Sequence, residues 1–209
     1  MVGIFTILIL LGSSSVSWGR DVQDAISDTQ SFVAQWKAAC ATPGLSAVKV
    51  PAGKTITVNP VTLSGPCKSS NIHLQVSGTI KAPSNRGAWK GLDQNHWIVI
   101  TNVQGLTIEG AGQIDGQGAI WWGCRQKKSL GILDCRNVVL RGLKFVNSGG
   151  KHILIHDSVG VRISQLSITA PEDSPNTDGV FIQGSRHVSL EEDLRTLISP
   201  ELHVDPAMG

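Results

Sequence analysis

Val138-Val-Leu-Arg-Gly-Leu-Lys-Phe145 and, further on, Val161-Arg-Ile-Ser-Gln-Leu-Ser-Ile168 are two versions of one pattern. Each opens on an apolar–other–apolar triplet, Val138-Val-Leu140 or Val161-Arg-Ile163. Each repeats it five residues later as Leu143-Lys-Phe145 or Leu166-Ser-Ile168. Alternation of this kind marks a strand with one buried face, because successive side chains point to opposite sides. The same triplet recurs at Leu74-Gln-Val76, Leu106-Thr-Ile108 and Val188-Ser-Leu190. Turn-forming residues stand between the strands, at Asn102, Gly105, Asn137, Gly142, Ser158 and Gly160.

A strand pattern that returns every 20–30 residues or so is the signature of a solenoid. One coil cannot bury its inward face alone, so coils stack and inward Val, Leu and Ile build a continuous core. A β-sandwich would show strands at closer spacing with hairpin turns between them. Asp115-Gly116 could make one such turn, but the segment beyond it does not alternate. The pattern predicts an all-β chain, a right-handed parallel β-helix. One helix is expected ahead of it, where Phe32, Val33, Trp36, Ala39 and Cys40 make an apolar stripe. Asp28 or Thr29 is the expected cap of its start, and Pro43-Gly44 its stop. Such a helix would lie over the open end of the stack and close the core.

Residues 1–19 read as a secretory signal. Ile4 to Leu11 is an apolar run too short to cross a bilayer, small residues follow, and Ser17 and Gly19 suit cleavage before Arg20. The n-region carries no Lys or Arg. The expected mature chain is secreted, extracellular and without a membrane span. A net charge of +2 with no basic stripe argues against a nucleic-acid partner. In an oxidising compartment the four cysteines can pair in three ways. Proximity along the chain favours Cys40–Cys67 and Cys124–Cys135.

The candidate for chemistry is Ser174-Pro-Asn-Thr-Asp-Gly-Val180. Asn176 and Asp178 are two apart, so on an extended backbone they face one way. A carboxylate that activates water beside an amide that orients a hydroxyl is what sugar hydrolysis uses. By spacing alone, a plain turn is the better explanation of these residues. His152 and His156, four apart, are a possible metal pair lacking an evident third ligand.

The stretch Ser164 to Ser185 resembles the first signature of the plant polygalacturonases, pectin-cutting enzymes of glycoside hydrolase family 28. Gly65-Pro-Cys-Lys68, Gly78-Thr-Ile-Lys-Ala-Pro83, and Gly116-Gln-Gly118 with Trp121 and Trp122 are similar to that family in the same order. The resemblance spans roughly residues 25 to 190. It implies a β-helix that hydrolyses α-1,4 links between galacturonic acid units with inversion, without metal or other cofactor. It implies that Asp178 helps activate the attacking water and that Asn176 contacts substrate. Pectin (homogalacturonan) is the implied partner, the cell wall the implied location, and a monomer the expected state.

Inversion needs a second carboxyl group as general acid, roughly 6.5–9.5 Å away. The family's Gly-Asp-Asp, Gly-His-Gly and Arg-x-Lys motifs should follow downstream of Asp178, and none is found between Asp178 and Gly209. After Leu190 the alternation also stops, so 191–209 reads as a divergent tail on a partial 20–190 domain. The sequence therefore predicts little or no turnover by this chain. The competing expectation is a non-catalytic pectin-binding or decoy protein. A calcium-dependent pectate lyase would need an acidic ligand cluster that the sequence does not show.

Overall fold

The computed structural model describes residues 15–93, 95–123, 130–172, 174, 175, 177, 179–191, 195–197 and 202–204. A helix, α1 (Ser15–Ala41), is followed by coils of three strands each. The first coil is β1 (Gly44–Val50), β2 (Thr55–Thr57) and β3 (Val61–Ser64). The second is β4 (Ser69–Val76), β5 (Thr79–Lys81) and β6 (Ile98–Thr101). The third is β7 (Gln104–Glu109), β8 (Gln113–Asp115) and β9 (Leu130–Leu133), with a short helix α2 (Ala119–Trp122) between the last two. The fourth is β10 (Arg136–Arg141), β11 (Lys144–Val146) and β12 (Ile153–His156), and the fifth β13 (Val159–Ser164), β14 (Ser167–Thr169) and β15 (Val180–Gln183). The sixth is β16 (Arg186–Leu190), β17 (Arg195–Leu197) and β18 (Leu202–Val204).

Every strand pairs in parallel with its equivalents in the neighbouring coils, which makes three sheets and a parallel β-helix. All five triplets read from the sequence fall in the first sheet, in β4, β7, β10, β13 and β16. The register stacks like on like. Val48, Leu74, Ile108, Leu140, Ile163 and Leu190 form one ladder of the first sheet. Ile56, Ile80, Ile114, Phe145 and Ile168 form another in the second sheet. Leu63, Ile100, Ile132, Ile155 and Ile182 form a third. Apart from half-buried Leu190, every member of these ladders is buried, and together they run the length of the core. The alternation in the sequence is therefore the inward face of each coil, read once per turn.

Five of the six turn residues named from the sequence have positive φ: Asn102, Gly105, Asn137, Gly142 and Gly160. Ser158 differs. It is buried, and its hydroxyl donates to the carbonyls of Ile132 and His156 at 3.3 and 3.0 Å.

α1 covers the first coil, with Ala25, Phe32, Trp36 and Ala39 buried against it. The helix is longer than the apolar stripe suggests. It begins at Ser15 and runs unbroken past Arg20. Asp28 and Thr29 lie inside it and do not cap its start. Their oxygens accept hydrogen bonds from the N–H groups of Thr57 and Asn59, both at 2.9 Å. A mid-helix side chain facing the open edge of the first coil finds unpaired backbone donors there, and that partner wins over the helix's own end.

Cys40 and Cys67 form a disulfide that ties the end of α1 to the loop before β4. The second expected bridge is not formed. Cys135 is a free, buried thiol that donates to the carbonyls of Leu133 and Ile100 at 3.3 and 3.6 Å. It points into the corner of the stack, where Ser158 follows it one coil later and donates in the same way. Cys124 lies outside the described residues. The repeat also does not stop at Leu190. Arg195–Leu197 pairs with β14 and Leu202–Val204 with β15. Strand pairing at an open edge needs only backbone groups, so apolar alternation can fade while the backbone still follows the coil. Thr196 stands at the register position that Ile168 holds in the coil before.

Candidate functional site

The three corners of the coil are not equivalent. The first-to-second-sheet corner is tight in the interior coils, at 77–78, 110–112, 142–143 and 165–166. The third-to-first corner is equally short, at 102–103, 134–135, 157–158 and 184–185. The second-to-third corner carries the long connections 82–97, 116–129, 147–152 and 170–179. Variable loops on a rigid stack are where a solenoid builds a site. The Ser174–Val180 motif lies in the last of these.

The loops at this corner are tied to one another. In 82–97, the Asn85 side chain accepts from the Ala88 N–H at 2.9 Å and starts a 3-10 turn, Arg86–Trp89. Trp89 is buried and meets Trp121 of α2 edge to face, centroids 5.2 Å apart. Arg86 lies over the Trp121 ring and donates to the Ile120 carbonyl at 2.8 Å. Further along that loop, burial disfavours ionisation of Asp93. Hydrogen bonds from the Asn95 and His96 N–H groups and the His96 ring outweigh it, and its carboxyl is held below the usual range. In 116–129, Asp115 accepts from the Gln117 backbone at 3.1 Å and its side chain at 2.6 Å. Asn147 donates to the same carboxylate at 3.4 Å, and Trp122 Nε1 donates to the Ser148 carbonyl at 3.0 Å. The first of these loops therefore rests on the second, and the second on the third.

The 147–152 loop is held tightly from within. Ser148 Oγ donates to the Lys151 carbonyl at 2.8 Å, and the Ser148 N–H donates to His152 Nε2 at 3.4 Å. His152 is buried, while His156, at the end of β12, is 3.1 Å from Asp157 through Nδ1. The two histidines thus serve different local partners, and no group of three metal-ligating side chains occurs among the described residues.

In 170–179, Ser174 bonds back to the Pro171 carbonyl through its N–H at 3.0 Å and its hydroxyl at 2.5 Å. The Ser174 and Thr177 hydroxyls share a hydrogen bond of 2.8 Å. The Gly179 carbonyl accepts from the Ile153 N–H at 3.1 Å, and Val180 pairs with Ile153 as β15 begins. The described residues of the motif thus bond to one another at Ser174 and Thr177 and lead through Gly179 into a core strand. Asn176 and Asp178 lie outside the described residues, as do Asp193 and Asp205 of the tail. Two residues that the sequence reading passed over stand out here. Lys151 places its Nζ 2.8 Å from the centroid of the Phe181 ring. The available signal was positional: Lys151 precedes Ile153 by two residues, as Asp178 precedes Val180.

Among known families, the model for glycosyl hydrolases family 28 matches residues 40–195. A probable polygalacturonase of Arabidopsis thaliana is 40% identical over 174 residues, which is 82% of this chain and 38% of the relative. A polygalacturonase of Malus domestica is 38% identical over 175 residues, 78% of this chain and 37% of the relative. The chain thus spans about two fifths of the length of these curated relatives. Solved structures share the fold. The endo-xylogalacturonan hydrolase of Aspergillus tubingensis aligns with a TM-score of 0.65 at 24% identity, covering 84% of this chain and 47% of that one. A hyperthermoactive exopolygalacturonase of Thermotoga maritima aligns with a TM-score of 0.57 at 19% identity, covering 80% and 50%.

Proposed function

This chain belongs to the glycosyl hydrolases of family 28, and from that membership we propose that it derives from a hydrolase of α-1,4-galacturonosyl links in pectin. The observation that carries this reading is the position of Ser174–Val180. The motif lies at the corner with the long loops, its Ser174 and Thr177 bonded to one another and its Gly179 tied to the neighbouring coil. In this reading Asp178 activates the water that attacks the anomeric carbon, and Asn176 orients the sugar beside it. Inversion then requires an acid on the far side of the scissile bond to protonate the leaving oxygen. The family's Gly-Asp-Asp segment, which would supply it, is not in this sequence. A positioned acid or base contributes typically about 10²–10⁴-fold, so turnover by this chain alone is expected to be very small. The Cys40–Cys67 bridge supports an oxidising, extracellular setting, with the cell wall as the place of action.

The test measures polygalacturonate in two ways. Electrophoresis through gels containing polygalacturonate or neutral galactan reads binding, and a reducing-end assay reads hydrolysis. Retardation by polygalacturonate alone is expected, with any released ends lost in Asp178→Asn. A chain that is neither retarded nor active on polygalacturonate would sink the reading.

A further inference from the structure

The first sheet is the side of the coil that does not meet the corner of long loops, and its outward face gathers positive charge. Arg136 opens β10 and Arg186 opens β16, and both register with Val159, which opens the strand between them. Arg162, on that middle strand, lies between buried Val161 and Ile163, so its side chain points outward. Neighbouring strands are about 4.8 Å apart and a strand rises about 3.3 Å per residue, so the main chains of the three arginines lie roughly 10 Å from one another. All three are exposed. Among the described residues neither Arg136 nor Arg186 has an acidic partner, and Arg162 faces Glu191 at 3.9 Å in a pair more than half exposed on both sides. Such a pair is screened and worth little. Glu109 and Asp157 nearby are engaged by Arg141 and His156. No run of the sequence shows this grouping, because register alone brings together residues a full coil apart in the chain.

A groove of about 510 Å³ runs beside them, across β4, β7, β10, β13 and β16. Arg162 and His187 line one part of it, and the amides of Asn71, Gln104 and Asn137 and the hydroxyl of Ser189 line the rest. Because it crosses the strands it follows the axis of the stack, and five strands span about 20 Å. Amides and hydroxyls bond to hydroxyls, and a guanidinium bonds to a carboxylate at two points. A polymer that repeats both groups, an acidic polysaccharide, is complementary to this face. We propose that the outward face of the first sheet is a second binding surface for polygalacturonate, held by Arg136, Arg162 and Arg186 and separate from the corner that carries Ser174–Val180. The proposal rests on the pectin reading above and adds a place where the polymer is held and no bond is cut. A chain with little turnover would still be retained on its polymer through this surface.

Affinity electrophoresis compares the full chain with a triple variant, Arg136→Gln, Arg162→Gln and Arg186→Gln. A charge-matched control carries Lys37→Gln, Lys54→Gln and Lys144→Gln, three exposed lysines outside the first sheet. Mobility in gels with polygalacturonate, relative to gels without it, reads binding, and urea unfolding checks each fold. The arginine triple variant is expected to bind about tenfold more weakly than wild type, each exposed ion pair contributing a factor of roughly two. The control should stay within about twofold of wild type, and Arg136→Gln and Arg186→Gln should each lose about twofold singly. A triple variant that binds as well as wild type, or no more weakly than the control, overturns the surface while the pectin reading stands. Should the triple variant unfold, the single variants decide, and wild-type binding by both overturns the surface. Equal retardation of the wild-type chain by single-stranded DNA would mean that the arginines attract any polyanion, and overturns it likewise. Absence of wild-type binding to polygalacturonate overturns the pectin reading, and this surface falls with it.

Discussion

Asp28 Oδ2 accepts a hydrogen bond from the backbone N–H of Thr57 at 2.9 Å, from the middle of α1 to the exposed edge of β2. The next residue repeats the arrangement. Thr29 Oγ1 accepts from the Asn59 N–H at 2.9 Å while donating to the Ala25 carbonyl at 2.6 Å. Further along, Gln35 Oε1 accepts from the Lys49 N–H at 3.4 Å on the edge of β1. The first coil of a solenoid has no preceding coil to take its donors, and an open edge invites pairing with another chain. α1 supplies side-chain oxygens where a strand would have supplied carbonyls.

Removing one acceptor should therefore act as loss of an edge hydrogen bond. Asp28→Ala is expected to cost about 1–2 kcal/mol, or roughly 2–8 °C in Tm for a chain of this size. The exposed Lys37→Ala on the same helix is the control and should change stability by less than about 0.5 kcal/mol. Urea unfolding of both variants measures the difference. Equal stability of Asp28→Ala and wild type would mean that the Asp28 acceptor adds nothing to the hold of the cap.

Much of this architecture was legible because a parallel coil writes its inward face into the sequence once per turn. Leu74, Leu106, Val138, Val161 and Val188 opened triplets that all proved to belong to one sheet. The second and third sheets were harder to see. Their strands are short, and in β5 or β8 only the central Ile80 or Ile114 faces inward. A single apolar residue between polar neighbours has no period to detect. The cap's polar contacts were invisible for another reason: Asp28 and Thr29 find their partners about 30 residues away, and local capping rules cannot anticipate that. At the site the motif was legible as a motif. The Lys151–Phe181 contact joins two coils and follows only from register.

Cys135 illustrates the same limit. Chain proximity suggested a bridge, but the thiol faces the buried corner that Ser158 occupies one coil later. Burial, the largest influence, pushes its pKa up, so the reactive thiolate is scarce. Native protein is expected to leave Cys135 unmodified by iodoacetamide at neutral pH, while urea-unfolded protein is alkylated there. Peptide mapping should find Cys40–Cys67 as a bridge. A Cys124–Cys135 peptide in that map would refute the placement of the thiol. Cys135→Ser should fold, because serine already fills the equivalent place in the next coil.

Glu109 ties three coils together on the outer face of the first sheet. Its carboxylate accepts from Arg141 Nε at 2.9 Å and lies 3.1 Å from His73 Nδ1. The hydrogen bonds from Arg141 are the largest influence on it. Burial opposes them, His73 adds to them, and the pKa ends below its ordinary 4.5. A carboxyl with a depressed folded pKa stabilises the fold fully above its unfolded value. That contribution disappears as the pH falls through the folded value. The stability gap between wild type and Arg141→Gln should thus be constant near neutrality and shrink below about pH 4.5. Denaturant titrations between pH 7 and 3 measure it. A gap that is unchanged at pH 3 would show that Arg141 acts through packing and not through this charge pair.

The left-handed residue at the second position of β7, β10, β13 and β16 offers a sharper test of coil packing. Gly105, Asn137, Gly160 and His187 follow the paired residues Gln104, Arg136, Val159 and Arg186, and all have φ between 54° and 77°. Two of the four positions already carry side chains, so positive φ by itself is tolerated there at modest cost. Space then decides. A Cβ at Gly105 would lie 2.1 Å from the Ser70 carbonyl oxygen, which is backbone of the preceding coil. A Cβ at Gly160 would be crowded by the Asn137 side-chain oxygen at 3.2 Å, which a small rotation relieves, while the Asn137 backbone lies at an ordinary contact distance of 3.7 Å. Gly105→Ala must push two coils apart and break neighbouring ladder bonds, at an expected cost above about 3 kcal/mol. Gly160→Asn places a residue that favours this conformation where Asn137 already stands one coil earlier, and should cost less than about 1 kcal/mol. Chemical denaturation of the two variants ranks them. If Gly160→Asn proves as damaging as Gly105→Ala, backbone conformation and not the approach of the coils sets the requirement for glycine.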